Sequence, residues 1–299
     1  MARSPLNPSR AYSTLALVFA CASAGAQGLQ PLSDDMLSSV QGRDGVSFDL
    51  SGFAMSGDAR FTYHAPAPST ASAYIGNFYA SRSDDPANPF GDPYRIDIVK
   101  GAAGMADIIT LAFPENANGA KKWQAAYDWG VNADGLAFEG GSMVLKDVAF
   151  YGGGFQWTTP RVNEGIAFGL GLRIDVGNML LRPRGRDDIT QAEPAGVTEQ
   201  MHIRGLRIGA VDSNGNFLNT PWRIADVTSQ PGIFNAVTDE AGNSRLRIGI
   251  DWPDANGAPL GGLQVDNLSF RSDVTGNVDL GSSRIGSMQI QYLDIRFKP

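Results

Sequence analysis

Apolar and polar residues alternate with period two over most of this chain. Val46, Phe48 and Leu50 are separated by Ser47 and Asp49. Phe168, Leu170, Leu172, Ile174 and Val176 form a longer series of the same kind, with Gly, Arg and Asp between them. Successive side chains of a strand point to opposite faces, so this pattern predicts extended segments with one face buried. It recurs at 95–99, 136–138, 143–150, 155–157, 206–208, 246–250, 263–265 and 290–297, while 53–63 continues the first extended segment and 107–113 is a stronger apolar run. Residues 121–129 fit a strand or a short helix. Strict alternation of this kind suits an antiparallel sheet.

Tight corners punctuate the strands. Asp212-Ser213-Asn214-Gly215-Asn216, Asp239-Glu240-Ala241-Gly242-Asn243 and Asp273-Val274-Thr275-Gly276-Asn277 share the spacing D-x-x-G-N, and Asp254-Ala255-Asn256-Gly257 is a variant. An Asp at the first place can accept a backbone N–H two residues on, and Gly at the fourth takes the left-handed conformation that closes the turn. As calcium loops these segments fail. Counted from Asp212, Gly215 stands fourth, where an EF-hand loop wants its glycine sixth, and Arg223 stands twelfth in place of Glu.

Two stretches break the alternation. Residues 65–93 are rich in Pro, Ser, Ala and Asp and read as a long loop, with a short strand at 74–79 inside it. Residues 32–42 read as a short helix. Leu32, Met36, Leu37 and Val40 share one face, Ser33 or Asp34 caps the start, and Gly42 offers the C-cap. The expected fold is therefore all-β and mostly antiparallel, an elongated sandwich or meander of hairpins with one short N-terminal helix. The expected division is a signal peptide at 1–26, a helical segment at 27–45 and one β-rich domain at 46–299.

The signal peptide rests on a basic start with Arg3 and Arg10, an uncharged apolar run at 11–22, and the small residues Ala24 and Ala26 at the exit. The run is short of the roughly 20 residues that span a bilayer. Cys21, the only cysteine, falls inside this segment. Phe19 stands where lipid attachment to Cys21 would want a small residue. Cleavage after Ala26 leaves a mature chain with no disulfide and no thiolate ligand.

Composition narrows the functions further. The net charge of −7 argues against nucleic acid as a partner. With 36 glycines and 18% charged residues, the chain suits strands and turns more than long surface helices. His64 and His202, the only histidines, lie far apart in no metal-binding spacing, and no nucleophile elbow is present. Gly152-Gly153-Gly154 lacks the Lys-Ser/Thr of a phosphate loop and reads as a bulge or hairpin tip. Arg182, Arg184 and Arg186 are expected to offset Asp187, Asp188 and Glu193. No catalytic residue, metal site or cofactor is expected.

Residues 29–47, with Leu32, Asp34, Leu37, Val40, Gly42, Gly45 and Val46 in the spacing L-x-D-x-x-L-x-x-V-x-G-x-x-G-V, resemble the N-terminus of a family of Gram-negative exported proteins. Its members are described as uncharacterised or as pilus-assembly proteins. The resemblance covers about 20 residues and brings no catalytic residues with it. It implies an exported structural or adhesive component of the cell envelope, in the periplasm, outer membrane or cell surface, whose partners are other envelope or surface proteins. Two alternatives stand beside it. An outer-membrane β-barrel would use the longest alternating strands. A secreted glycan-binding module would use tryptophans such as Trp222 and Trp252 as stacking platforms.

Overall fold

The computed structural model describes residues 45–297, apart from 66–67, 86–91, 134, 161–164, 193–198 and 255–256. The N-terminal helix expected at 32–42 and the segment before it lie outside the described residues. The described part belongs to one compact unit, residues 43–299. It is all-β, with 65% of residues in strands and no helix among the described residues.

Fifteen strands build it. The first six are β1 (Val46–Phe48), β2 (Ala54–His64), β3 (Ser72–Arg82), β4 (Tyr94–Val99), β5 (Ile108–Ala112) and β6 (Trp123–Ala133). Two long strands follow, β7 (Leu136–Thr158) and β8 (Ile166–Arg182). Then come β9 (Gln200–Ala210), β10 (Trp222–Ala225), β11 (Gly232–Thr238), β12 (Ser244–Asp251), β13 (Gly261–Ser272), β14 (Gly276–Met288) and β15 (Tyr292–Arg296). The ambiguous run at 121–129 is strand from Trp123 onward. The region expected as a loop at 65–93 holds an 11-residue strand, β3, longer than the short one expected there. Its two hydrogen-bonded neighbours, β2 and β6, carry the extended backbone beyond the part that alternates.

All pairings are antiparallel, and the 15 strands join in one hydrogen-bonded sheet. That sheet forks around the β7–β8 pair, which is paired from Ser142–Arg182 to Thr158–Ala167 with one register shift between Phe150 and Gly153. On the free side of β7, residues 136–148 take β6 and residues 154–157 take β5. On the free side of β8, residues 174–181 take β9, while residues 166–172 take β10 and β11. Two eight-stranded sheets thus share two strands. The first runs β2-β3-β6-β7-β8-β9-β13-β14 and the second β1-β4-β5-β7-β8-β11-β12-β15.

The three glycines lie at the fork, inside β7, as a bulge between Phe150 and Gly153. All three have positive φ, at 64°, 76° and 132°. A Cβ on Gly154 would strike the Leu111 carbonyl of β5, and one on Gly153 the Gly171 carbonyl of β8. Glycine is required here because β5 has to reach the strand just where β6 leaves it.

The core fills the two forks. On one side Trp123 of β6 donates its indole N–H to Tyr94 Oη of β4 at 3.0 Å. Phe113 packs against both Phe150 and Phe155, with ring centroids 5.0 and 5.9 Å apart. On the other side Trp222 of β10 is 6% exposed, and its indole N–H reaches the Pro259 carbonyl at 3.0 Å. Val211, Ala225, Val227, Ile250 and Ala258 are buried as well.

Candidate interaction surfaces

Along β8 the even positions Phe168, Leu170, Leu172, Ile174, Val176 and Leu180 point to one face, and Met179 and Leu181 to the other. The first sheet is therefore apolar on both faces. One of these is covered. Ala126, Val144 and Leu180 pack against Ala192, which lies in the connection from β8 to β9. Arg186, in the same connection, reaches Asp128 of β6 with Nη2 and Oδ1 3.1 Å apart and its side chain fully buried. Its guanidinium also donates to the carbonyls of Asn77 at 2.6 Å and Gln191 at 3.0 Å. Asp128 accepts further hydrogen bonds from Ser142 Oγ at 2.5 Å and Asn77 Nδ2 at 2.8 Å. The charge is compensated on every side, as a buried ion must be.

Among the described residues, the opposite face of the first sheet has no such cover. One row crosses six strands as Tyr127–Met143–Leu181–Met201–Phe270–Val278. Towards β2 the face continues through Phe61, Ile75 and Trp129, and through Tyr63, Val131 and Phe138. Phe61 and Tyr63 are 67% and 65% exposed. Towards β14 a shallow depression of about 670 Å³ is lined by Leu181, Met201, Phe270, Val278 and Leu280. The apolar field ends at a polar row, Asp175–Arg207–Gln264–Arg284. Burial holds Asp175 above the usual carboxylate range, although Arg207 and Arg173 pull it down.

The second sheet shows its apolar face on the other side. Ile98–Ile109–Trp157–Phe168 and Ile166–Phe234–Ile248–Ile295 are rows of it. Phe155 and Trp157 stack at 9°, centroids 5.6 Å apart. The reverse face is charged near β12, where Arg247 and Arg296 both reach Asp294. A contiguous exposed apolar field of this breadth is the physical signature of an interaction surface.

The residues singled out in the sequence fall as follows. Ala24, Ala26, Leu32, Asp34, Leu37, Val40 and Gly42 lie outside the described residues. Gly45 precedes β1, where a Cβ would strike the Ile96 carbonyl of β4. Asp212 accepts the amides of Asn214 at 2.9 Å and Asn216 at 2.7 Å, with Gly215 at φ 78°. Asp239 accepts Ala241 N at 3.0 Å and Asn243 N at 2.8 Å, with Gly242 at φ 83°. The Asn216 and Asn243 amides hold these two carboxyls below the usual range. In the third turn Gly276 has φ 75°, but Ser272 Oγ accepts the amides of Val274 and Thr275, while Asp273 turns to Arg184. The arginine cluster is likewise paired at long range. Arg184 meets Glu199 and Asp273, and Arg186 meets Asp128, while the charge of Arg186 also acts on Asp188 as expected; Glu193 lies outside the described residues. His202 bonds Asn178, and among the described residues no three His, Cys, Asp or Glu side chains converge.

A family of unknown function, DUF6160, matches residues 10–96. No curated protein and no solved structure matches the chain. The matched residues take in β1, β2 and β3 and run into β4, so one edge of each sheet falls within them. The sequence signal for the interaction surfaces was present in the strict alternation of strands such as 166–176. What it lacked was any mark of which alternating face would stay uncovered.

Proposed function

We propose that this chain is an exported structural or adhesive component of a Gram-negative cell envelope, acting through protein–protein contact and not through catalysis. The observation that carries the reading is the apolar face of the first sheet, which is uncovered among the described residues and spreads over all eight of its strands. A protein that held such a face in water alone would gain nothing from it, whereas one that assembles with envelope partners buries it. The basic start, apolar run and Ala24/Ala26 exit support export. A long run of hairpins supports a rigid body.

Of the alternatives, a closed barrel requires the end strands to pair, and among the described residues β1 does not pair with β15 nor β2 with β14. A glycan platform at Trp222 requires an open ring face, and Trp222 is buried.

Expression of the full chain in a Gram-negative host tests the reading. The expected result is a chain shortened by its first 26 or so residues, found with the envelope, released by urea, and unchanged in mobility when heated in SDS. An unprocessed chain in the cytoplasm would overturn it, and so would a heat-modifiable band, which belongs to a barrel.

A further inference from the structure

The open edges of the forked sheet say which partner fits. Among the described residues, β2 pairs with β3 alone and β14 with β13 alone. Each therefore presents one row of backbone N–H and C=O groups outward. Proteins that must stay apart blunt such edges with proline, lysine, bulges or very short strands. Here β2 has 11 residues and β14 has 13, and neither contains Pro or Lys, although a bulge interrupts β2 between Gly57 and Arg60.

The two edges match each other. The sheet between them has eight strands with every neighbour antiparallel, so β2 and β14 run in opposite directions. A second copy placed beside the first, in the same orientation, would bring its β2 against the first copy's β14 as another antiparallel pair. The apolar face would continue without a step. Phe61 and Tyr63 on β2 and Val278 and Leu280 on β14 lie on the same uncovered face, 67%, 65%, 45% and 58% exposed.

We propose that copies of this chain associate head to tail, the β14 edge of one copy pairing antiparallel with the β2 edge of the next. The contact is heterologous, so it leaves a free edge at each end and propagates instead of closing at a dimer. This deepens the structural reading above and rests on it.

Sedimentation and negative-stain microscopy of the purified full chain test the inference. Wild-type protein is expected to form a concentration-dependent series of species, from dimers to linear arrays. Phe61→Lys with Tyr63→Lys blocks one edge, and Val278→Lys with Leu280→Lys blocks the other. Each double variant is expected to lose assembly and stay monomeric, with an unchanged circular dichroism spectrum because all four side chains are exposed. An equimolar mixture of the two variants is expected to give dimers and nothing larger, since only one intact pair of edges remains. A wild-type chain that stays monomeric at every concentration would overturn the proposal. So would either variant dimerising by itself, which would mean that like edges pair. The outcomes separate from those for the function: a monomeric chain in the envelope sinks self-assembly alone, and an assembling chain in the cytoplasm sinks the envelope reading alone.

Discussion

Single residues in this protein are chosen for backbone geometry more than for chemistry. Asp212 and Asp239 sit in exposed turns, and each accepts two backbone amides that would otherwise face the turn unpaired. Both carboxyls are held below the ordinary aspartate range, mainly by the amides of Asn216 and Asn243. A folded-state value lowered in this way stabilises the fold at any pH above the unfolded aspartate value, roughly 4. That contribution is lost as pH falls through the folded value. Thermal midpoints should therefore be flat from neutrality to about pH 5 and decline below it. A variant with Asp212→Asn and Asp239→Asn should show a shallower decline, because two of the groups that titrate are gone. An acid limb of unchanged slope would assign the loss to other lowered carboxyls, such as Asp226, Asp279 and Asp294.

At the scale of elements, the connection from β8 to β9 decides which face of the first sheet is covered. Arg186 anchors it, with its guanidinium on Asp128 and on backbone carbonyls. Removing that side chain strands the Asp128 carboxylate under the connection. Breaking a buried pair on one side costs about 3 kcal/mol or more. Arg186→Ala should lower stability in urea by about that much, and Arg186→Lys should recover little, because one ammonium cannot reach the acceptors that a planar guanidinium serves. A loss near zero in the Ala variant would show that Ala192 and its apolar neighbours hold the connection unaided. The glycine bulge at 152–154 is the counterpart in β7, where a single strand has to leave one neighbour and meet another.

At the scale of the molecule, apolar side chains of both sheets are open to water among the described residues, on opposite faces. A dye that fluoresces on apolar surface, such as ANS, should bind the native protein at neutral pH. Molten globules bind it too, but they lack fixed packing. Here binding should coexist with a native near-ultraviolet circular dichroism spectrum and a cooperative thermal transition. Lysine at Phe138 and Phe270, which are 58% and 41% exposed, should lower dye binding and leave the transition in place. Dye binding that is absent from the wild type would mean that the face is covered.

The sequence by itself determined the strand content, the antiparallel pairing and the turn chemistry. Period-two alternation, Asp as a turn acceptor and Gly at positive φ are local properties, written within a few residues of each other. Even so, local reading took β3 for loop with a short strand, because two partner strands and not its own composition extend it. Asp273 lost its expected place to Ser272 because Arg184, far away in the chain, draws it off. Only the tertiary structure decided that the sheet forks, that Arg186 answers Asp128, and that one apolar face is covered while its reverse is open. Alternation says that a strand has two unlike faces, but not what lies against either. That depends on contacts between residues distant in sequence, and a period of two carries no record of them.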